Sequence, residues 1–283
     1  MPTNFGRMST PPPPGTETPS TEAHQHRQVA ESFGTDAERY DRARPRYPEA
    51  LISRVVTGST GREILDIGCG TGIVARQFQA AGARVLGVDP DPRMAGLARQ
   101  SGVEVEVAKI EDWDPAGRLF DAAVSGQAWH WVDPVAGAAV AARALRAEGR
   151  LALFWNAFQP PAELAEAFSG AIRRALPDSP FRMPPGTRSA ADVYLAGFPK
   201  LENGLAEAGG FGEPERWRFA WEWTYTRDAW LDQMPTAGVL TTAPPEAVAQ
   251  VLAEAGAAID AAGGSFVAQY TTVVLTALRA EAA

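Results

Sequence analysis

Between Glu63 and Trp155 the chain returns five times to a short β-branched or apolar run: EILDIG, RVLGVD, VEVEVA, FDAAVS and RLALFW. Each is long enough for a strand buried on both faces, and the segments between them suit helices. Strand and helix in alternation imply parallel pairing through right-handed crossovers, with helices on both sides of one sheet. The expected fold is therefore a doubly wound, Rossmann-like α/β sheet. WRFAWEWTYT and FVAQYTTVVLTAL, Phe266 to Leu278, supply further strands, and Trp217, Phe219, Trp221 and Trp223 share one face of the first, where helix packing is expected.

Outside this rhythm the chain changes character. Residues 1–28 contain STPPPPGTETPSTEAHQH, which has almost nothing to bury, so a disordered tail is expected there. Residues 29–158 then hold N-terminal helices and the strand-rich core. Residues 159–203, with Pro160-Pro161 and Pro184-Pro185, are too long for a simple loop and are read as an inserted helical cap. Residues 204–283 are read as completing the sheet.

The first run ends in LDIGCGTG, Leu65 to Gly72, which places Gly68, Gly70 and Gly72 at the carboxyl end of a strand and before a helix. Open α/β sheets bind ligands at that end, and glycines let a ligand lie against the main chain. A nicotinamide dinucleotide needs a further glycine where Ile73 stands. Asp66 beside the loop would repel a pyrophosphate, yet it suits a ligand with an ammonium group and no phosphate. S-adenosylmethionine is such a ligand. Asp89 closes the second run, where a carboxylate can accept both ribose hydroxyls. After the third, Ile110 and Trp113 offer apolar neighbours for adenine and Glu111 an acceptor for its amine.

These residues, with the segment GQAWHWVD, resemble the class I S-adenosylmethionine-dependent methyltransferases of the type 11 group, and within it the trans-aconitate methyltransferase-like branch. Phe33, Ala37, Tyr40 and Arg44-Pro45-Arg46-Tyr47-Pro48 match that branch's leading segment. The likeness covers residues 30–158 well and the remainder in outline. It implies a seven-stranded sheet, with Gly68, Gly70 and Gly72 flanking the cofactor's methionine and Asp89 on its ribose. Glu111 would lie near adenine, Gln127 near the methionine or sulfonium, and Tyr40 and Arg44 would close over the site.

Methyl transfer mainly requires alignment and exclusion of water, so a general base is optional. His130 follows the fourth run, and is expected to act as a base or a substrate-orienting group. Trp129, Trp155 and Asn156 are expected acceptor contacts. The formal charge of −8 argues against nucleic acid as acceptor, since such binding needs clustered Lys and Arg. The expected acceptor is a small organic molecule, methylated on a carboxylate or hydroxyl oxygen. Cyclisation, decarboxylation, N- or C-methylation, and binding without turnover stay open as alternatives. One cysteine, Cys69, precludes an intrachain disulfide, and neither a metal site nor a membrane segment is expected; a cytoplasmic setting fits.

Overall fold

The molecule is described by a computed structural model covering residues 32–177 and 189–280. The expected tail at 1–28 and part of the expected cap lie outside those residues. In chain order, a 3-10 turn at Phe33–Asp36 leads into α1 (Ala37–Ala43) and α2 (Glu49–Thr57), then β1 (Glu63–Ile67), α3 (Ile73–Ala80), β2 (Arg84–Asp89), α4 (Pro92–Gln100) and β3 (Glu104–Val107). After a 3-10 turn at Ile110–Asp112 follow β4 (Phe120–Gly126), a second such turn at Trp129–Trp131, α5 (Pro134–Ala144) and β5 (Leu145–Gln159). The remainder comprises α6 (Ala162–Ala175), α7 (Ala190–Ala208), β6 (Glu215–Thr226), α8 (Arg227–Gln233), α9 (Gly238–Thr241), α10 (Pro245–Ala261) and β7 (Ser265–Leu278).

The strands form one seven-stranded sheet in the order β3-β2-β1-β4-β5-β7-β6, as the resemblance implies. Strands β1 to β5 pair in parallel, whereas β7 is antiparallel to both β5 and β6. In that register Leu65 lies between Leu86 and Ala123, all three buried. Period-2 alternation then sorts the side chains. Leu65, Leu86, Leu151 and Leu153 join α5 and α7, while Ile64, Val85, Val124 and Phe154 join α2, α3 and α4. Local chemistry starts the crossover helices where the sheet needs them. Asp91 and Asp133 cap α4 and α5 by accepting the first free amides, and a proline at the first helical position of each has no N–H to leave unpaired.

A third core stands apart from these two faces. Phe168 of α6, Trp230 of α8, Leu240 of α9 and Ile259 of α10 pack against Tyr225, Phe266 and Tyr270, which belong to the ends of β6 and β7 where the two strands are joined through α8–α10. Helices of the expected insertion at 159–203 are divided between two cores. Helix α6 joins the third core with α8–α10, which lie between β6 and β7, whereas α7 packs on the sheet through Phe198 and Leu205. An amphipathic helix announces its apolar face in the sequence, not the surface that the face will cover. On β6, Trp217 is buried beneath the Arg54 guanidinium and Trp221 stacks on Tyr270, but Trp223 is half exposed. Among the described residues no helix is long and apolar enough to cross a membrane.

Candidate active site

The carboxyl ends of β1, β2 and β4 open into a cavity of about 690 Å³, closed above by α1, α7, α8 and α9. Its floor is the glycine loop. Gly68 and Cys69 donate their amides to the Val88 carbonyl at 2.8 and 3.2 Å, which folds the loop over the end of β2. Gly70 donates to one oxygen of Asp89 at 2.8 Å and the Asp91 amide to the other at 2.9 Å. Asp89 is therefore oriented by main chain alone, with lone pairs left on both oxygens. Gly68 has φ +68°, and a Cβ there would lie 2.4 Å from that of Ala128, so only glycine fits.

Burial raises the Asp89 carboxyl to about 6, although its two amide donors oppose the shift. Asp66 is buried, and the Ala75 amide of α3 is the donor that opposes the rise of its carboxyl. Burial first, and then the charge of Asp89, push its carboxyl up to about 8. Asp66 does not line the cavity, and neither does Gly72, whose left-handed backbone begins α3. The Cys69 thiol is pushed up by burial, which argues against a nucleophilic role.

Along the wall, Ile110 and Glu111 line the cavity from their 3-10 turn, and Glu111 Oε1 accepts the Asp133 amide at 2.9 Å. Trp113 turns away. Its indole donates to Glu106 at 2.5 Å and its ring packs in the sheet core, so it contributes no cavity surface. Gln127, at φ +57°, lines the cavity with its side-chain oxygen buried and unpartnered.

His130 also lines the cavity, and its Nδ1 accepts the Trp155 indole N–H at 3.1 Å. Burial lowers the imidazole to about 4. Trp129 and Trp155 are themselves core residues, 1% and 2% exposed, and neither reaches the cavity as expected of acceptor contacts. Asn156 does, though its amide is engaged by Arg46 and Thr272.

Tyr40 and Arg44 close the cavity from the N-terminal side. The Arg44 guanidinium lies 4.8 Å from the Tyr40 ring centre and donates to the Thr236 carbonyl, while its Nε is buried without a partner. The acids lining the cavity are Asp89, Asp91 and Glu111, and its cations are Lys109 and Arg44.

A family defined by the methyltransferase domain matches residues 40–261. The chain belongs to that methyltransferase family. Among its relatives is an uncharacterised methyltransferase of Mycobacterium tuberculosis, 37% identical over 133 residues that cover 46% of this chain and 54% of the relative. The chain thus spans about half the length of that relative. A trans-aconitate 2-methyltransferase of Mycolicibacterium gilvum is 32% identical over 199 residues, covering 66% of this chain and 69% of the other. A solved structure described as a type II methyltransferase from Anaeromyxobacter dehalogenans superposes with a TM-score of 0.61 at 25% identity, covering 82% of this chain and 97% of that one.

In this methyltransferase-family chain the cavity brings together Tyr40, Arg44, Gly68, Gly70, Asp89, Ile110, Glu111, Gln127, His130 and Asn156 from the sequence expectations. It adds Tyr194 of α7, Gln233 of α8, Val239 of α9 and Tyr270 of β7. No local motif marks those four; only Tyr270 carries a signal, the alternation of buried and exposed residues along the first half of β7.

Proposed function

We propose that this chain transfers a methyl group from S-adenosylmethionine to an oxygen of a small organic acid. The observation carrying this reading is Asp89, fixed by the Gly70 and Asp91 amides at the floor of a cavity whose loop end is lined by acids. A carboxylate with both oxygens so ordered would repel a phosphate and would accept a pair of ribose hydroxyls. The residues fit the cofactor: Gly68 leaves no room for a side chain, Glu111 retains an acceptor for adenine, and Gln127 has a buried oxygen without a partner. When bound, the cofactor supplies an electrophilic methyl group on a positively charged sulfur.

The acceptor reading rests on the opposite wall. Arg44 brings a cation with a free buried Nε, and Tyr194, Gln233 and Tyr270 bring polar groups among apolar neighbours such as Phe158 and Val239. That lining suits a compact acid of low charge, anchored at its carboxylate and packed along its body. The name of the M. gilvum relative gives trans-aconitate, an organic acid, as that protein's acceptor, which supports an acid here. Alignment within the cavity and exclusion of water are then the chain's main contribution.

The test is incubation with methyl-labelled S-adenosylmethionine and a panel of small carboxylic acids and phenols, read by mass spectrometry. Labelled methyl esters or ethers are expected. Label on nitrogen or carbon would overturn the oxygen assignment. Cofactor binding by calorimetry with no labelled product from any acceptor would overturn transfer.

A further inference from the structure

The bond between Trp155 and His130 decides where the imidazole carries its proton. An indole N–H donates and never accepts, so Nδ1 of His130 presents its lone pair to Trp155. A neutral imidazole has one ring proton, which is then on Nε2. Protonating Nδ1 as well would set two donors face to face. Trp155 cannot easily move aside, because it is buried against Tyr194 and Phe198 with ring centres at 6.1 and 5.8 Å.

We infer that Trp155 is a positioning residue that locks His130 in its Nε2–H form, so that His130 donates a hydrogen bond to the acceptor's oxygen instead of removing a proton from it. The inference rests on the methyl-transfer reading for the identity of the acceptor, but the tautomer stands independently of it. Burial alone lowers His130, and none of the charged residues that share the cavity, Arg44, Asp89, Asp91, Lys109 and Glu111, shifts it in either direction. The carboxylates offer no substitute base, since Asp89 and Glu111 are held by main-chain amides at the loop end, Asp91 is paired with Arg93, and Asp66 lies outside the cavity.

The acceptor class narrows accordingly. An alcohol would need its proton taken; a carboxylate arrives already ionised. Its oxygen lone pair forms the new O–C bond, the C–S bonding pair returns to sulfur, and no proton has to leave. A neutral N–H donor orients such an oxygen without quenching the charge that drives attack.

The tautomer is read by long-range proton–nitrogen correlation NMR on the 15N-labelled full chain, with the His130 signals assigned by their loss in His130→Gln. The expected spectrum shows a protonated Nε2 and an unprotonated Nδ1, unchanged between pH 5 and 8. Trp155→Phe is expected to mix the tautomers, with proton signal appearing on both ring nitrogens. A proton on Nδ1 in the native chain, or native titration near 6.5, overturns the inference; this measurement needs no variant at position 155.

With a carboxylate acceptor identified, His130→Gln, whose amide can still donate, is expected to cost far less than the roughly 100-fold or more that follows removal of a general base. His130→Phe is expected to cost more than His130→Gln, and equal losses would overturn the donor role. If no acid is methylated while the Nε2–H form is seen, the transfer reading fails and the tautomer lock survives.

Discussion

Arg39 Nε lies 3.0 Å from Asp232 Oδ1, joining α1, which precedes the sheet, to α8, which follows β6. Arg42 reaches the other oxygen of the same carboxylate at 2.9 Å. The pair of arginines, Arg42 foremost, holds the Asp232 carboxyl below its ordinary value. With Arg44 donating to Thr236, the clasp fastens the N-terminal helix across the mouth of the cavity. Arg39 and Asp232 are about one-third exposed, so Asp232→Asn should cost at most about 1 kcal/mol of stability, less in high salt. The expected effect is kinetic: release of S-adenosylhomocysteine, followed by stopped-flow fluorescence, should speed up several-fold while the melting temperature moves by only a few degrees. Unchanged release would mean that the clasp does not gate the cavity.

Asp89→Ala should weaken S-adenosylmethionine binding by about 1.5–3 kcal/mol, or roughly 10- to 150-fold in Kd, because a charged acceptor is removed. Asp89→Asn should lose less, since one oxygen remains to accept the Gly70 or Asp91 amide. Titration calorimetry reads both variants. Equal affinity in the wild type and the alanine variant would remove Asp89 from the cofactor site.

The buried carboxyls make stability depend on pH in a direction opposite to that of a salt-bridged acid. Asp66 is raised to about 8 and Asp89 to about 6, so the folded chain binds protons that the unfolded chain releases. Their contribution is fully present below the ordinary carboxylate value near pH 4 and is lost as pH rises, through about 6 for Asp89 and about 8 for Asp66. Each group adds a slope of up to about 1.4 kcal/mol per pH unit within its window. Urea melts of the ligand-free chain between pH 4 and 9 should show this decline. Asp66→Asn should flatten it above pH 6 and stabilise the chain at pH 8; a variant as pH-sensitive as the wild type would contradict the assignment.

Gly68 and Gly82 separate strain from crowding. Both have left-handed backbone, at φ +68° and +86°, but a Cβ on Gly82 meets nothing within 4 Å while one on Gly68 strikes Ala128. Gly82→Ala should cost about 1–2 kcal/mol from conformation alone. Gly68→Ala should cost about 2–5 kcal/mol, with cofactor binding lost as the loop shifts. Adding Ala128→Gly should recover the crowding part only. Equal denaturation midpoints for the two single variants would refute the packing account.

The sheet was legible because each buried strand is a short apolar run bounded by turn residues, and all seven runs became strands. The loop end of the cavity was legible for a related reason. Asp89 ends β2 and Gly68 and Gly70 follow β1 closely, so topology alone brings them together. Trp113 and Trp129 mark the limit of that logic. Each lies at or just after a 3-10 turn, where the chain changes direction and adjacency to a strand end no longer says whether a side chain faces the cavity or the core. Trp155 is on β5 itself, and its inward face follows from a register that the sequence does not declare. Tyr194, Gln233 and Val239 were hidden for a different reason, since they reach the cavity only through the way α7 settles on the sheet and α8 and α9 settle in the third core.

That third core has a dynamic consequence. Phe168, Trp230, Leu240 and Ile259 bury one another without drawing on the side chains that hold the parallel strands together. Helices α6 and α8–α10 therefore form a unit able to loosen by sub-global opening while the sheet and its glycine loop keep their shape. Amide exchange in α8 and α10 should therefore run ahead of exchange in β1 and β4.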